Sequence, residues 1–94
     1  MNKIEELLKS GDTIIVDVRT PEEFMGGHVA GSINIPINEI PMRLDEFKGM
    51  KQIVLCCASG ARSQNATFYL QQNGIECYNG GPWVEVNYYS NNNN

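Results

Sequence analysis

Strand and helix patterns alternate along this chain, and the alternation predicts an α/β fold: a small parallel sheet flanked by helices on both faces. Two observations carry the expectation. The run TIIVDV (13–18) is apolar and β-branched and the run QIVLCC (52–57) is richly apolar, as buried strands require. Between and after them lie segments with helical apolar spacing and recognisable caps. At 94 residues the chain has room for one core, so residues 1–90 are read as a single domain. The closing NNNN (91–94) has nothing to bury and is expected to be disordered.

Each element follows from its residues. Ile4, Leu7 and Leu8 stand at helical spacing within 2–10, and Gly11 ends that helix. After the strand 13–18, Thr20, Pro21 and Glu23 have the order of a cap, a first-turn proline and a first-turn acid. Gly26 and Gly27 keep the resulting helix short. Residues 32–35 form a short strand. Residues 37–47 read as a helix with Asn38 as its cap and Pro41 in its first turn; Ile40, Leu44 and Phe47 share a face. QIVLCC is the strongest strand and is expected to be central. A helix over 63–73 closes at Gly74, and residues 75–78 form the last strand. Gly80 and Gly81 are read as a turn before a final helix starting at Pro82.

The net charge of -4 argues against nucleic acid as a partner, because that requires a basic face. No apolar run approaches the ~20 residues of a membrane-spanning helix, and the first residues lack the apolar stretch of a secretory signal. The chain is therefore expected to be cytoplasmic, with no membrane partner. Three cysteines, two of them adjacent, do not make a disulfide framework. With one histidine and no C-x-x-C spacing, neither a metal site nor a cofactor is expected.

The stretch LCCASGARSQ (55–64) carries the chemistry. It joins the strongest strand to a helix, at the carboxyl end where open parallel sheets hold their sites. Ala58, Ser59, Gly60 and Ala61 are small, so their backbone N–H groups can converge on one point. The helix behind them adds free N–H groups and a positive end. Such a cradle binds an anion or acidifies a thiol. Arg62 is expected as an anion contact at the rim, and Ser63 as a cap or a hydrogen-bond donor into the cradle. Side chains alternate along a strand, so Cys56 and Cys57 face opposite ways. Cys57, next to the loop, is the candidate nucleophile; Cys56 is expected to pack as a small apolar residue.

These motifs resemble the rhodanese family. The pattern is Cys57, two residues, Gly60, one residue, Arg62-Ser63, then a helix, Gly74-Ile75 and Gly80-Gly81-x-Trp83. Upstream, Asp17-x-Arg19, Glu23-Phe24, Gly27-His28 and Gly31-x-Ile33-Asn34-Ile35-Pro36 are similar to the family's other signature. The resemblance runs from Thr13 to Trp83. It implies a sulfurtransferase that takes a sulfane sulfur from thiosulfate or a similar small anionic donor. Cys57 would hold that sulfur as a persulfide and pass it to cyanide, a thiol or a sulfur-relay protein. The substrate would sit among Ala58, Ser59, Gly60, Ala61, Arg62 and Ser63, with Arg19 a further contact. Asp17 is expected to be mainly structural, His28 to hold loops together, Trp83 to pack the last helix, and Cys77 to be buried. Two other functional classes share parts of this pattern. A non-enzymatic sulfur carrier or interaction module is the main alternative. A cysteine phosphatase fits less well, since its loop is one residue longer than the four residues between Cys57 and Arg62.

Overall fold

The computed structural model describes residues 2–91. The chain runs α1 (Lys3–Lys9), β1 (Thr13–Asp17), α2 (Pro21–Met25), β2 (Ile33–Asn34), a 3-10 helix (Ile37–Arg43), α3 (Leu44–Lys48), β3 (Gln52–Cys57), α4 (Ala61–Gln72), β4 (Tyr78–Pro82) and α5 (Trp83–Asn91). The four strands are all parallel, in the order β2-β1-β3-β4. The fold is the α/β class expected, and β3 is an inner strand. No described helix is long and apolar enough to cross a membrane.

Alternation along the inner strands divides the core in two. Val16, Val18, Ile53, Leu55 and Cys57 face Ile40, Phe47, Ala66 and Leu70, under the 3-10 helix, α3 and α4. Ile15, Val54 and Cys56 face Leu7, Leu8 and Val86, under α1 and α5. The two adjacent cysteines therefore belong to different cores.

The caps hold where the sequence has them. Asn2 accepts from the Glu5 amide (2.8 Å) and Thr20 from the Glu23 amide (3.2 Å), each answered by the glutamate's own carboxylate. Several boundaries differ from expectation. The single helix over 37–47 is a 3-10 helix followed by α3, and Asn38 caps nothing, since Pro36 stands at the N-cap. Pro41 within that segment has no N–H to give and its ring crowds the preceding turn, so a continuous α-helix cannot run through it. Helix α4 starts at Ala61, which puts Arg62 and Ser63 in its first turn.

The last strand is displaced most. It covers 78–82, not 75–78, and Gly80 and Gly81 lie inside it. Its pairing with β3 shifts at Leu55/Cys56, a bulge that lets the chain bend. A Cβ on Gly80 would stand 2.7 Å from both Val54 Cγ1 and Val86 Cγ2, so the strand packs there only without a side chain. At the end of the chain, Asn91 closes α5 and is helical; the rest of the expected tail, 92–94, lies outside the described residues.

Candidate active site

β3 stops at Cys57 and α4 starts at Ala61, so Ala58, Ser59 and Gly60 make the whole turn. Gly60 has φ +100°, and a Cβ there would meet Gly81 Cα at 3.3 Å. The conformation favours glycine at this position, and the space beside it is tight. The turn brings the Gly60 amide to 3.0 Å from Cys57 Sγ, and the Ser63 amide and hydroxyl each to 3.4 Å. The 12-residue helix α4 directs its positive end at the same place. The Ala61 amide turns instead to Ser59 Oγ at 3.4 Å, and Ala58 is exposed at the outer edge.

This arrangement acidifies one thiol. Burial pushes Cys57 up, but the Ser63 hydroxyl and the amides of Ser63, Gly60 and Ser59 outweigh it, so the thiol lies below its ordinary value. Cys56, on the other face, is pushed up to about 12 by burial and by the Asp17 carboxylate. Cys77 is driven to about 11 by burial, with its sulfur against Thr67 O. Both are buried and inert at neutral pH.

Ser63 has one hydroxyl proton and three acceptors: Asn79 Oδ1 at 2.6 Å, Gly60 O at 3.2 Å and Cys57 Sγ at 3.4 Å. In the neutral thiol state the short contact to Asn79 takes it. A thiolate competes for it as a charged acceptor. Asn79 also accepts from the Gly81 amide (3.0 Å) and donates to Gly60 O (3.3 Å) and Gln64 Oε1 (2.9 Å), tying β4 to the loop.

Arg62 sits at the rim, where its guanidinium faces Glu23 and not the centre of the loop. Nη1 reaches Oε1 at 2.8 Å and Nη2 reaches Oε2 at 2.9 Å. Glu23 falls to about 2 through the Arg62 hydrogen bonds and then the Thr20 amide, so the pair stays ionised throughout the neutral range. Arg62 is raised chiefly by Glu23, with a lesser contribution from the Cys57 charge, so it lies within electrostatic reach of the sulfur.

Arg19 is buried, and its guanidinium is engaged through Nε and Nη2. It grips Asp17 (2.8–3.1 Å), donates to Gly27 O at 2.7 Å and lies 4.8 Å over the Trp83 ring. Those contacts lock the end of β1 to α5, and none of them faces the sulfur cradle. His28 stacks on Phe24 and bonds Phe24 O through Nδ1 at 2.6 Å, linking the helix to the loop after it. Among the described residues no group of His, Cys, Asp or Glu is placed to hold a metal.

Residues 1–82 match the rhodanese-like domain. The chain belongs to the rhodanese family. Its relatives include a sulfurtransferase of Allochromatium vinosum, 37% identical over 74% of this chain and 65% of the relative. A thiosulfate sulfurtransferase of Pseudoalteromonas translucida is 34% identical over 76% of this chain and 68% of its own. A rhodanese-related protein of Thermoplasma volcanium has the same fold, with TM-score 0.72 and 33% identity, covering 82% of this chain and 81% of that one. The chain spans 65% of the first relative's length and 23% to 52% of several others.

Two residues of this rhodanese-like site were not read from the sequence. Glu23 shows its capping role locally, but nothing near it announces a partner 39 residues away. Asn79 lies in a stretch read as a turn, and its role appears only once β4 extends beside β3.

Proposed function

We propose that this rhodanese-like domain is a sulfurtransferase that carries sulfane sulfur as a persulfide on Cys57. The observation that supports it is the convergence of the Gly60 and Ser63 amides and the Ser63 hydroxyl on one acidified sulfur. The Cys57 thiolate attacks the outer sulfur of the donor. With thiosulfate, the S–S bond breaks and sulfite leaves with the electron pair. The new persulfide anion takes over the cradle's N–H groups, much as an oxyanion does. Cyanide or a thiolate, free or on a sulfur-relay protein, then removes the outer sulfur and restores the Cys57 thiolate. No general base is needed once the thiolate is formed. The three cysteines are free, which supports a reducing compartment such as the cytoplasm.

Intact mass after incubation with a sulfane donor, thiosulfate or cysteine persulfide, tests the reading. The wild type gains one sulfur atom, cyanide removes it with thiocyanate formed, and folded Cys57→Ser gains none. Loading of Cys57→Ser, or no loading of the wild type by either donor, overturns it.

A further inference from the structure

We propose that Glu23 sets the donor class of the Cys57 site, turning it away from the thiosulfate dianion and toward thiol persulfides. The inference rests on the sulfurtransferase reading and goes beyond it to the choice of substrate.

The charges around the site carry it. The chain has seven basic residues. Lys3 and Lys51 line a hollow of about 350 Å³ with Gln52 and Tyr78, where β3 and β4 begin. Lys48 lines a neighbouring hollow beside Gly74 and Glu76, and Lys9 closes α1 next to Ser10, whose hydroxyl reaches Gln52. All four lysines thus stand toward the amino end of the sheet, away from the loop. Arg43 is bound to Glu39 and Glu46. At the carboxyl end stand Arg19 and Arg62, and each is matched by an acid, Asp17 and Glu23. Among the described residues, each arginine at the loop already faces a carboxylate, so a dianion must compete for it.

Glu23 is also not free to withdraw. Its Oε1 accepts from the Thr20 amide at 3.0 Å, which fixes it at the head of α2. If Arg62 swings toward a donor, the carboxylate stays behind at the rim. A dianion then exchanges one ion pair for another and meets a fixed negative charge. Donors lacking the second charge avoid most of that repulsion. Thiol persulfides, R–S–SH, have this property. The Cys57 thiolate attacks the terminal sulfur, a bond forms between that sulfur and Sγ, and the donor's S–S bond breaks. RS⁻ leaves with the electron pair, the proton passes to solvent, and nothing is oxidised or reduced overall.

Glu23→Gln is the diagnostic variant, because glutamine preserves the capping box while removing the charge. The readout is the ratio of kcat/KM for thiosulfate to kcat/KM for cysteine persulfide. The ratio is expected to rise about tenfold in Glu23→Gln. Adding Arg62→Ala to that variant should return most of the gain. A persulfide carried on a second protein's cysteine, run in parallel, distinguishes a small donor from a protein one. A ratio unchanged within about twofold overturns the inference, as does a parallel fall with both donors, which marks Glu23 as structural only. If neither donor loads wild-type Cys57, the sulfurtransferase reading itself fails.

Discussion

Cys56 and Cys57 share a peptide bond and have opposite chemistry. The difference comes from which way each side chain leaves the strand. Cys56 meets the Asp17 carboxylate and an apolar core; Cys57 meets amides and a hydroxyl. Strand alternation alone made that division legible in the sequence. The identity of the charge partners was not legible, because Arg62 and Glu23 lie 39 residues apart in the chain and meet only in the fold. Ser63 gives the sharpest test at this scale. Its hydroxyl favours the charged sulfur, so removing it must raise the Cys57 pKa. The alkylation rate by iodoacetamide rises with pH through that pKa, with an inflection lowered by the loop's donors. In Ser63→Ala the inflection moves up and the rate at pH 7 falls severalfold. An unmoved inflection means that the hydroxyl proton stays with Asn79 in both charge states.

At the scale of elements, β4 shows what local pattern cannot convey. Gly80 and Gly81 look like a turn by composition, and only the closeness of Val54 and Val86 explains why a strand there needs glycine. The residues with ordinary strand propensity just before it, Ile75 to Cys77, serve as its lead-in. The same holds for the segment 37–47. Its apolar face was readable, and Ile40 and Phe47 are buried as that face requires. Its backbone was not, because the proline's effect depends on where within the turn it falls. Gly80→Ala is expected to destabilise the fold by about 2 kcal/mol or more, seen as a lower urea midpoint. Unchanged stability means that β4 can shift away from α5 at little cost.

For the whole molecule, parallel strands decide the layout. Every strand ends on one side, so the cradle, the Arg19–Asp17 and Arg62–Glu23 pairs and Trp83 gather there, while the lysines gather at the other. Alternating strand and helix patterns made this architecture legible from the start. The layering buries all three thiols, and the loop acidifies Cys57 alone. A small chromogenic disulfide at neutral pH should therefore titrate one thiol quickly in the folded chain and all three in guanidinium. Two fast thiols in the folded chain would mean that one of the two cores opens readily. The contact between the first and last helices has a different consequence. Asn2 Nδ2 lies 3.4 Å from the Tyr89 hydroxyl, so the described chain begins and finishes at one spot, on the face opposite α4. A fold whose ends meet behaves as a cassette. It can be spliced into a larger polypeptide, or have another module appended, without pulling its strands apart or crowding the loop that leads into α4.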